Sequence, residues 1–291
     1  MLFRSFLYTD PVTETIANGS TVVVAAGNDA GNVSGYSPGN CAGVITVGAT
    51  RITGGIAYYS NFGAQVDVTA PGGNQQLGTT SGVLSTINSG QRTPESAAYG
   101  WMQGTSMACP HVSGVAALGL SYALAKGRHY TVDEFKSMLL TAVNDIDSYI
   151  IGGTKNGMVL RNYRKNMGTG SIDAYQLLMQ IEGTPCLKVG VGAEELVPLT
   201  QFFGGSATNL TYTGVSMSAA DMAKLGIETL PTMAYGKLKI KCTKSGVAKI
   251  TVTAIGGGNK VGTGTVMGGM TITKEFAIIA RGVQAGNGGW L

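Results

Sequence analysis

The chain is poor in charge, in histidine and in cysteine, and each shortage closes off a class of function. Charged residues make up 12% of its 291 positions and the net charge is only +4. Its basic clusters, Arg161–Arg164–Lys165 and Lys237–Lys239–Lys241, lack interleaved aromatics. They read as solvated faces, so no nucleic-acid partner is expected. The cysteines Cys41, Cys109, Cys186 and Cys242 are scattered without a C-x-x-C pair. That spacing argues against zinc and leaves disulfides and buried thiols equally open. No D-x-D-x-D-G loop is present, so calcium cannot be placed on any residue set and no cofactor is expected. No uninterrupted apolar run reaches the ~18 residues of a membrane span, and none is expected. The opening Met1–Ser5 is basic but lacks the apolar stretch of a signal peptide. Leu2-Phe3-Arg4-Ser5 is also the translation of a common sequencing-library adapter end, so residues 1–5 are expected to be a non-native artefact.

Glycine, by contrast, is abundant at 45 residues, and 44% of the chain is apolar. Asp10-Pro11 reads as an N-cap followed by proline at the first helical position, with Gly19 as the stop. "TVVVAAGN", from Val22 to Asn28, is a continuous β-branched run suited to a strand covered on both faces. "GVITVGAT" (43–50) and "VDVTAPG" (66–72) read as further strands, which together imply an α/β domain. "SMACPHVSGVAALGLSYALA" is apolar or small all round and predicts a helix buried at the domain centre. Thr131 and Glu134 form a capping box for the next helix, and "IDAYQLLMQI" (172–181) predicts the last one. After "EGTP" the period changes to two: "KLKIKC" and "VAKITVTA" alternate about a "TKSG" turn, as in an antiparallel β-sandwich. The domain boundary is placed near residue 184. The glycine clusters at 256–258 and 262–269 read as loops, and "GGGNKVGTGTVMGG" lacks Walker spacing, so it reads as a hairpin tip.

Ser106 carries the chemistry. Proline is tolerated in a helix's first turn, so Pro110 puts Ser106 near a helix start, among free backbone N–H groups and the positive end of the dipole. Such a site suits a nucleophile that generates an oxyanion, although simple N-capping would explain an isolated serine equally well. His111 lies five positions on, about 140° round a helix and roughly 7.5 Å along it, too far for a base that must come within about 3 Å. Asn28 ends a buried strand, where its amide can donate to an oxyanion and Gly27 lets a substrate backbone approach.

"TVVVAAGN", "YSPGNCAGVITVGAT", "YYSNFGAQVDVTAPG" and "GTSMACPHVSGVAAL" together resemble, in order and character, the C-terminal half of a subtilisin-like serine protease catalytic domain, over about residues 10–182. "MGTGSIDAYQLL" resembles that family's closing turn and last helix, and "GYSPGN" leans towards proteinase K-like members. The resemblance implies a parallel-sheet α/β domain, taken as 6–183, followed by an immunoglobulin-like β-sandwich at 184–291. It implies Ser106 as nucleophile, Asn28 as oxyanion donor, and Ala26, Gly27, Tyr36, Gly104 and Thr105 as substrate-binding residues. It implies a polypeptide substrate and a secreted or cell-surface protein.

One departure is large. The family's catalytic Asp and His lie in "D-x-G" and "H-G-T-H" motifs upstream of the asparagine, yet only 27 residues precede Asn28 and neither motif is among them. The strand that forms the other cleft wall is missing too. The chain is therefore expected to be a fragment, inactive alone, whose partner is the missing N-terminal half. The alternative is a catalytically dead peptide-binding or adhesion protein. Retention of both Ser106 and Asn28 argues against it.

Overall fold

The computed structural model describes residues 3–282 apart from 91, 148–149, 151–152, 156, 204–209, 257–258, 262–264 and 268. Two compact units meet between Ile181 and Glu182.

The first unit contains α1 (Phe3–Ala17), β1 (Val23–Ala25), β2 (Ile45–Thr50), β3 (Val68–Pro71), β4 (Val83–Asn88), β5 (Ala97–Met102) and α2 (Thr105–Ala125). There follow α3 (Val132–Thr141), β6 (Val143–Asn144), β7 (Thr154–Lys155), β8 (Met158–Val159), β9 (Ser171–Ile172) and α4 (Ala174–Glu182). The main sheet has the order β1-β2-β3-β9-β6. Its first four strands are parallel and β6 is antiparallel to β9. β2 is buried at all six positions, as its unbroken β-branched and small residues predict for a central parallel strand.

Three expectations need correcting. α1 does not start at Pro11 but runs through it from Phe3. Proline removes one N–H rung without obliging a helix to begin there, and Thr13 and Thr15 hydroxyls bond back to the carbonyls of Thr9 and Pro11 in the turns around it. β1 is only half-buried along its length, because it is an edge strand whose described partner is β2. α2 is not covered all round. Thr105, Ala108, Val112, Ala116, Gly119 and Ala123 are buried on one face. On the other, Leu118, Leu120 and Leu124 are 48%, 46% and 67% exposed. The small residues of the inner face allow a close approach: a Cβ on Gly119 would lie 2.5 Å from Leu177. Small polar residues interrupt the apolar run, yet α2 as a whole is long and apolar enough to cross a membrane by length and composition. In this fold its inner face packs on β1, β2 and β3.

Other local readings are met. Thr131 Oγ1 accepts from Glu134 N, and Glu134 Oε2 accepts from Thr131 N at 2.8 Å, closing the capping box of α3. Asp173 heads α4, accepting from Gln176 N at 3.0 Å and from Asn144 Nδ2 at 2.7 Å, so it ties the helix to β6.

The second unit holds β10 (Cys186–Gly190), β11 (Glu194–Pro198), β12 (Leu210–Ser216), α5 (Ala219–Leu225), β13 (Thr232–Ala234) and β14 (Lys237–Lys241). It continues with β15 (Gly246–Gly256), β16 (Asn259–Val261), β17 (Thr265–Met267) and β18 (Met270–Arg281). Sheets β10-β18-β15-β12 and β11-β14-β13 share one core, built on Leu187, Leu238, Ile240, Ile250, Val252 and Phe276. The larger sheet is mixed, not purely antiparallel, because β10 runs parallel to β18. Within the glycine-rich stretch β16 and β17 pair antiparallel, in keeping with its reading as a hairpin, and Thr265–Met267 is strand where 262–269 reads as loop.

The bare leucines of α2 form an apolar surface that should bind hydrophobic dyes. The chain is expected to bind anilinonaphthalene sulfonate while still melting cooperatively. Leu118→Gln combined with Leu124→Gln should weaken that fluorescence severalfold and leave the melting temperature within a few degrees. Unchanged dye binding would show that the face is covered.

Candidate active site

β1 runs into a tight turn at residues 26–31 that one buried amide holds in place. Asn61 is fully buried. Its Nδ2 donates to Ala26 O at 2.9 Å, and its Oδ1 accepts from both Asp29 N and Gly31 N at 2.9 Å. Gly27 has φ +103°, and a Cβ there would come within 2.4 Å of Asn61 Nδ2. Only glycine fits that bend. The Tyr36 ring lies along the same turn, its Cδ1 edge 3.4 Å from a Cβ built on Gly27 and its hydroxyl 2.8 Å from one built on Gly31. Loss of solvent around the ring, and then the charge and hydrogen bond of the neighbouring Asp29 carboxylate, push the Tyr36 phenol pKa up.

The second wall is the entry to α2. β5 delivers the chain through Gln103 to Gly104, whose N–H donates to Gly72 O at 2.9 Å. Tyr59 Oη lies 2.7 Å from the carbonyl oxygens of Gly72 and Gly73, so the end of β3 is fixed against the same loop. Thr105 is completely buried. Its hydroxyl accepts from Gly27 N at 3.1 Å and donates to Asn28 Oδ1 at 2.9 Å, while its own N–H donates to Asn28 Oδ1 at 2.8 Å. Both bonds hold the oxygen end of the Asn28 amide, which fixes which end is which and leaves Nδ2 as the outward donor.

A Cβ built on Gly104 would lie 3.5 Å from Asn28 Nδ2 and 3.6 Å from Ser106 N, so both nitrogens flank the same small volume. Ser106 is the second residue of α2 and is exposed. Two N–H donors beside an exposed hydroxyl at the positive end of a 21-residue helix can hold an oxygen that becomes negative during attack. Pro110 sits deeper in the helix than the first turn. It lacks the N–H that would bond Ser106 O, leaving that carbonyl without its intrahelical partner.

No base is close. His111 Nδ1 is 2.7 Å from Met107 O, tying the ring back onto its own helix. His129 is exposed beyond the far end of α2, and a helix of that length spans about 31 Å. Cys109, three residues after Ser106, is no substitute nucleophile, because burial raises its thiol pKa. Among the described residues no group of three His, Cys, Asp or Glu side chains gathers in metal-binding range.

The structure thus brings together Ala26, Gly27, Asn28 and Tyr36 on one side and Gly104, Thr105 and Ser106 on the other. It places Thr105 below the surface, where it orients Asn28 instead of meeting a ligand, and it adds Asn61, which sequence reasoning missed.

A model of the subtilase family matches residues 7–170, more than half of the chain. The chain belongs to the subtilase family. This subtilase is 55% identical over 112 residues to an extracellular protease of Xanthomonas campestris, across 38% of this chain and 18% of that protein. It is 38% identical over 159 residues to an extracellular basic protease of Dichelobacter nodosus, across 55% of this chain and 25% of that protein. A solved protease structure from Pseudoalteromonas arctica is similar at 40% identity and a TM-score of 0.50, covering 60% of this chain and 46% of that one. The subtilase therefore spans a quarter or less of those two extracellular proteases and under half of the solved structure.

Thr105→Val should destabilise the first unit by about 2 kcal/mol, because Gly27 N–H and Asn28 Oδ1 lose a buried partner. Thr105→Ser should cost less than half of that. Urea denaturation of the three proteins makes the comparison, and equal stability of the valine variant would mean that Thr105 is not the brace.

Proposed function

We propose that this chain is the nucleophile-bearing part of a serine endopeptidase acting on polypeptides. Ser106 Oγ attacks the carbonyl carbon of the scissile bond, and the oxyanion that forms is held by Asn28 Nδ2 and the Ser106 N–H. Collapse breaks the C–N bond, the hydroxyl proton leaves with the amine, and water later hydrolyses the acyl-enzyme. The observation that supports this reading is the double fixation of Asn28 Oδ1 by Thr105, which leaves Nδ2 as the donor end of the amide beside the start of α2. Ala26, Gly27 and Tyr36 would border the pocket for the residue before the scissile bond.

The chain by itself lacks the general base, so its serine keeps the reluctance of an ordinary alcohol to ionise. We read it as a fragment whose complement carries the histidine and aspartate. The bare face of α2 and the open edge of β1 are the surfaces that complement would cover, since both are apolar and half-exposed in a fold whose other central strands are buried. The second unit is read as an immunoglobulin-like accessory domain, and the protein as secreted, in keeping with the extracellular relatives. A catalytically dead peptide binder is the competing reading. The orientation of Asn28 counts against it, because binding alone does not need a donor pair aimed beside a serine hydroxyl.

The test is fluorophosphonate labelling of Ser106 with and without an upstream segment of the gene carrying "D-x-G" and "H-G-T-H" motifs. The isolated chain should label slowly, the complemented one at least a hundredfold faster, and Ser106→Ala not at all. Fast labelling of the isolated chain would contradict the absence of a base. No acceleration on complementation would support the dead-binder reading.

A further inference from the structure

A cavity of about 270 Å³ in the first unit is lined by Ala30, Tyr58, Phe62, Met158, Val159 and Tyr163, with Gly157 and Asn162 at its edge. Its floor is aromatic. The Phe62 and Tyr163 rings are 4.8 Å apart at 56°, and Tyr163 is buried. Burial pushes the Tyr163 phenol pKa up, so the floor stays uncharged.

Two features connect this cavity to the nucleophile loop. Tyr58 Oη accepts from Gln103 Nε2 at 3.1 Å, and Gln103 Oε1 accepts from Gln75 N at 2.6 Å, three residues before Ser106. On the other side, Ala30 stands two residues after Asn28 with φ +50°, a conformation that residues with a Cβ rarely hold. Ala30 is kept there by its N–H to Tyr59 O at 2.9 Å and by the Asn61 Oδ1 bonds to Asp29 N and Gly31 N on either flank. Backbone strain that surrounding bonds over-determine is a mark of a binding surface when it lies on a cavity wall.

We propose that this cavity is a binding site for a bulky apolar side chain of the polypeptide substrate, on the segment flanking the scissile bond. The proposal rests on the reading of Ser106 as the nucleophile, because that reading makes a polypeptide the chain's partner. The occupant follows from the lining. No charged side chain lines it to pair with a charged group, the volume suits one phenylalanine- or leucine-sized side chain, and Asn162 and the Tyr58 hydroxyl in the lining can meet its backbone. Two of its lining residues tie it to the loops that carry Asn28 and Ser106: Ala30 stands two residues after Asn28, and Tyr58 accepts from Gln103, three residues before Ser106.

The experiment uses the chain as it stands, labelled with ¹³C at the methionine methyl groups, the Met158 signal being assigned by Met158→Leu. The probes are alanine hexapeptides carrying one phenylalanine, moved through each position, against hexa-alanine. One phenylalanine register should shift Met158 and bind on the order of tenfold or more tighter than hexa-alanine, the discrimination one apolar pocket supplies. Val159→Trp and, separately, Asn162→Trp should fill the cavity and abolish that preference. If no register moves Met158, or both filled variants keep the preference, the proposal is overturned. Because this readout needs no base, it separates from the catalytic reading. Selective binding without serine labelling in the complemented protein leaves the pocket standing and removes the catalysis, whereas labelling without any phenylalanine preference does the reverse.

Discussion

The site depends on the two hydrogen bonds from Thr105 to the Asn28 carbonyl oxygen. A side-chain amide has two ends of similar shape and opposite polarity, and one turned the wrong way would present an acceptor to a developing negative charge. Thr105 removes that freedom from beneath, with a backbone N–H and a hydroxyl that also accepts from Gly27. The brace works only because the end of β1 and the start of α2 are adjacent. That adjacency depends on Gly27 and Gly104, both at positive φ, and on Asn61 clamping the turn that follows. Fold and chemistry are joined at this point: the parallel sheet aligns strand ends, and the helix that packs on it begins where they finish.

The same architecture leaves two surfaces of the first unit partly uncovered among the described residues. A helix apolar on all sides belongs inside a domain, and an edge strand of Val and Ala belongs beside another strand. α2 is covered on one face and β1 is paired on one side by the described residues. Asn28 is therefore held beside the start of α2 by local bonds, while one face of α2 and one edge of β1 stand open among the described residues.

Much of this was legible in the order of residues. Unbroken Val and Ile runs marked the parallel strands, Thr131 and Glu134 marked a helix start, and the small-residue run after Ser106 marked the packed helix. What was not legible had physical reasons. The inner role of Thr105 depends on a strand 77 residues away in sequence, and no local pattern reports such a contact. Asn61 reads as a turn residue in "YYSNFG" because its partners are backbone groups of a distant loop. Pro11 looked like a helix start because proline is favoured there, but a surface helix can lose one rung and continue. The α5 helix had its own signals, Ser218 as N-cap accepting from Asp221 N and Gly226 in the left-handed conformation at its end. They lie before the two alternating runs, "KLKIKC" and "VAKITVTA", on which the strand reading of this unit rests.

A double-mutant cycle of Thr105→Val and Asn28→Ala, measured as the acylation rate of Ser106 in the complemented catalytic domain, tests the central claim most directly. If Thr105 acts by aiming Asn28, the alanine variant should lose about 10²–10³-fold, the size such a donor is worth in subtilisin. The valine variant should lose a large part of that, and the double variant no more than Asn28→Ala alone. Multiplicative losses in the double variant would show that the two residues act independently and would contradict the account.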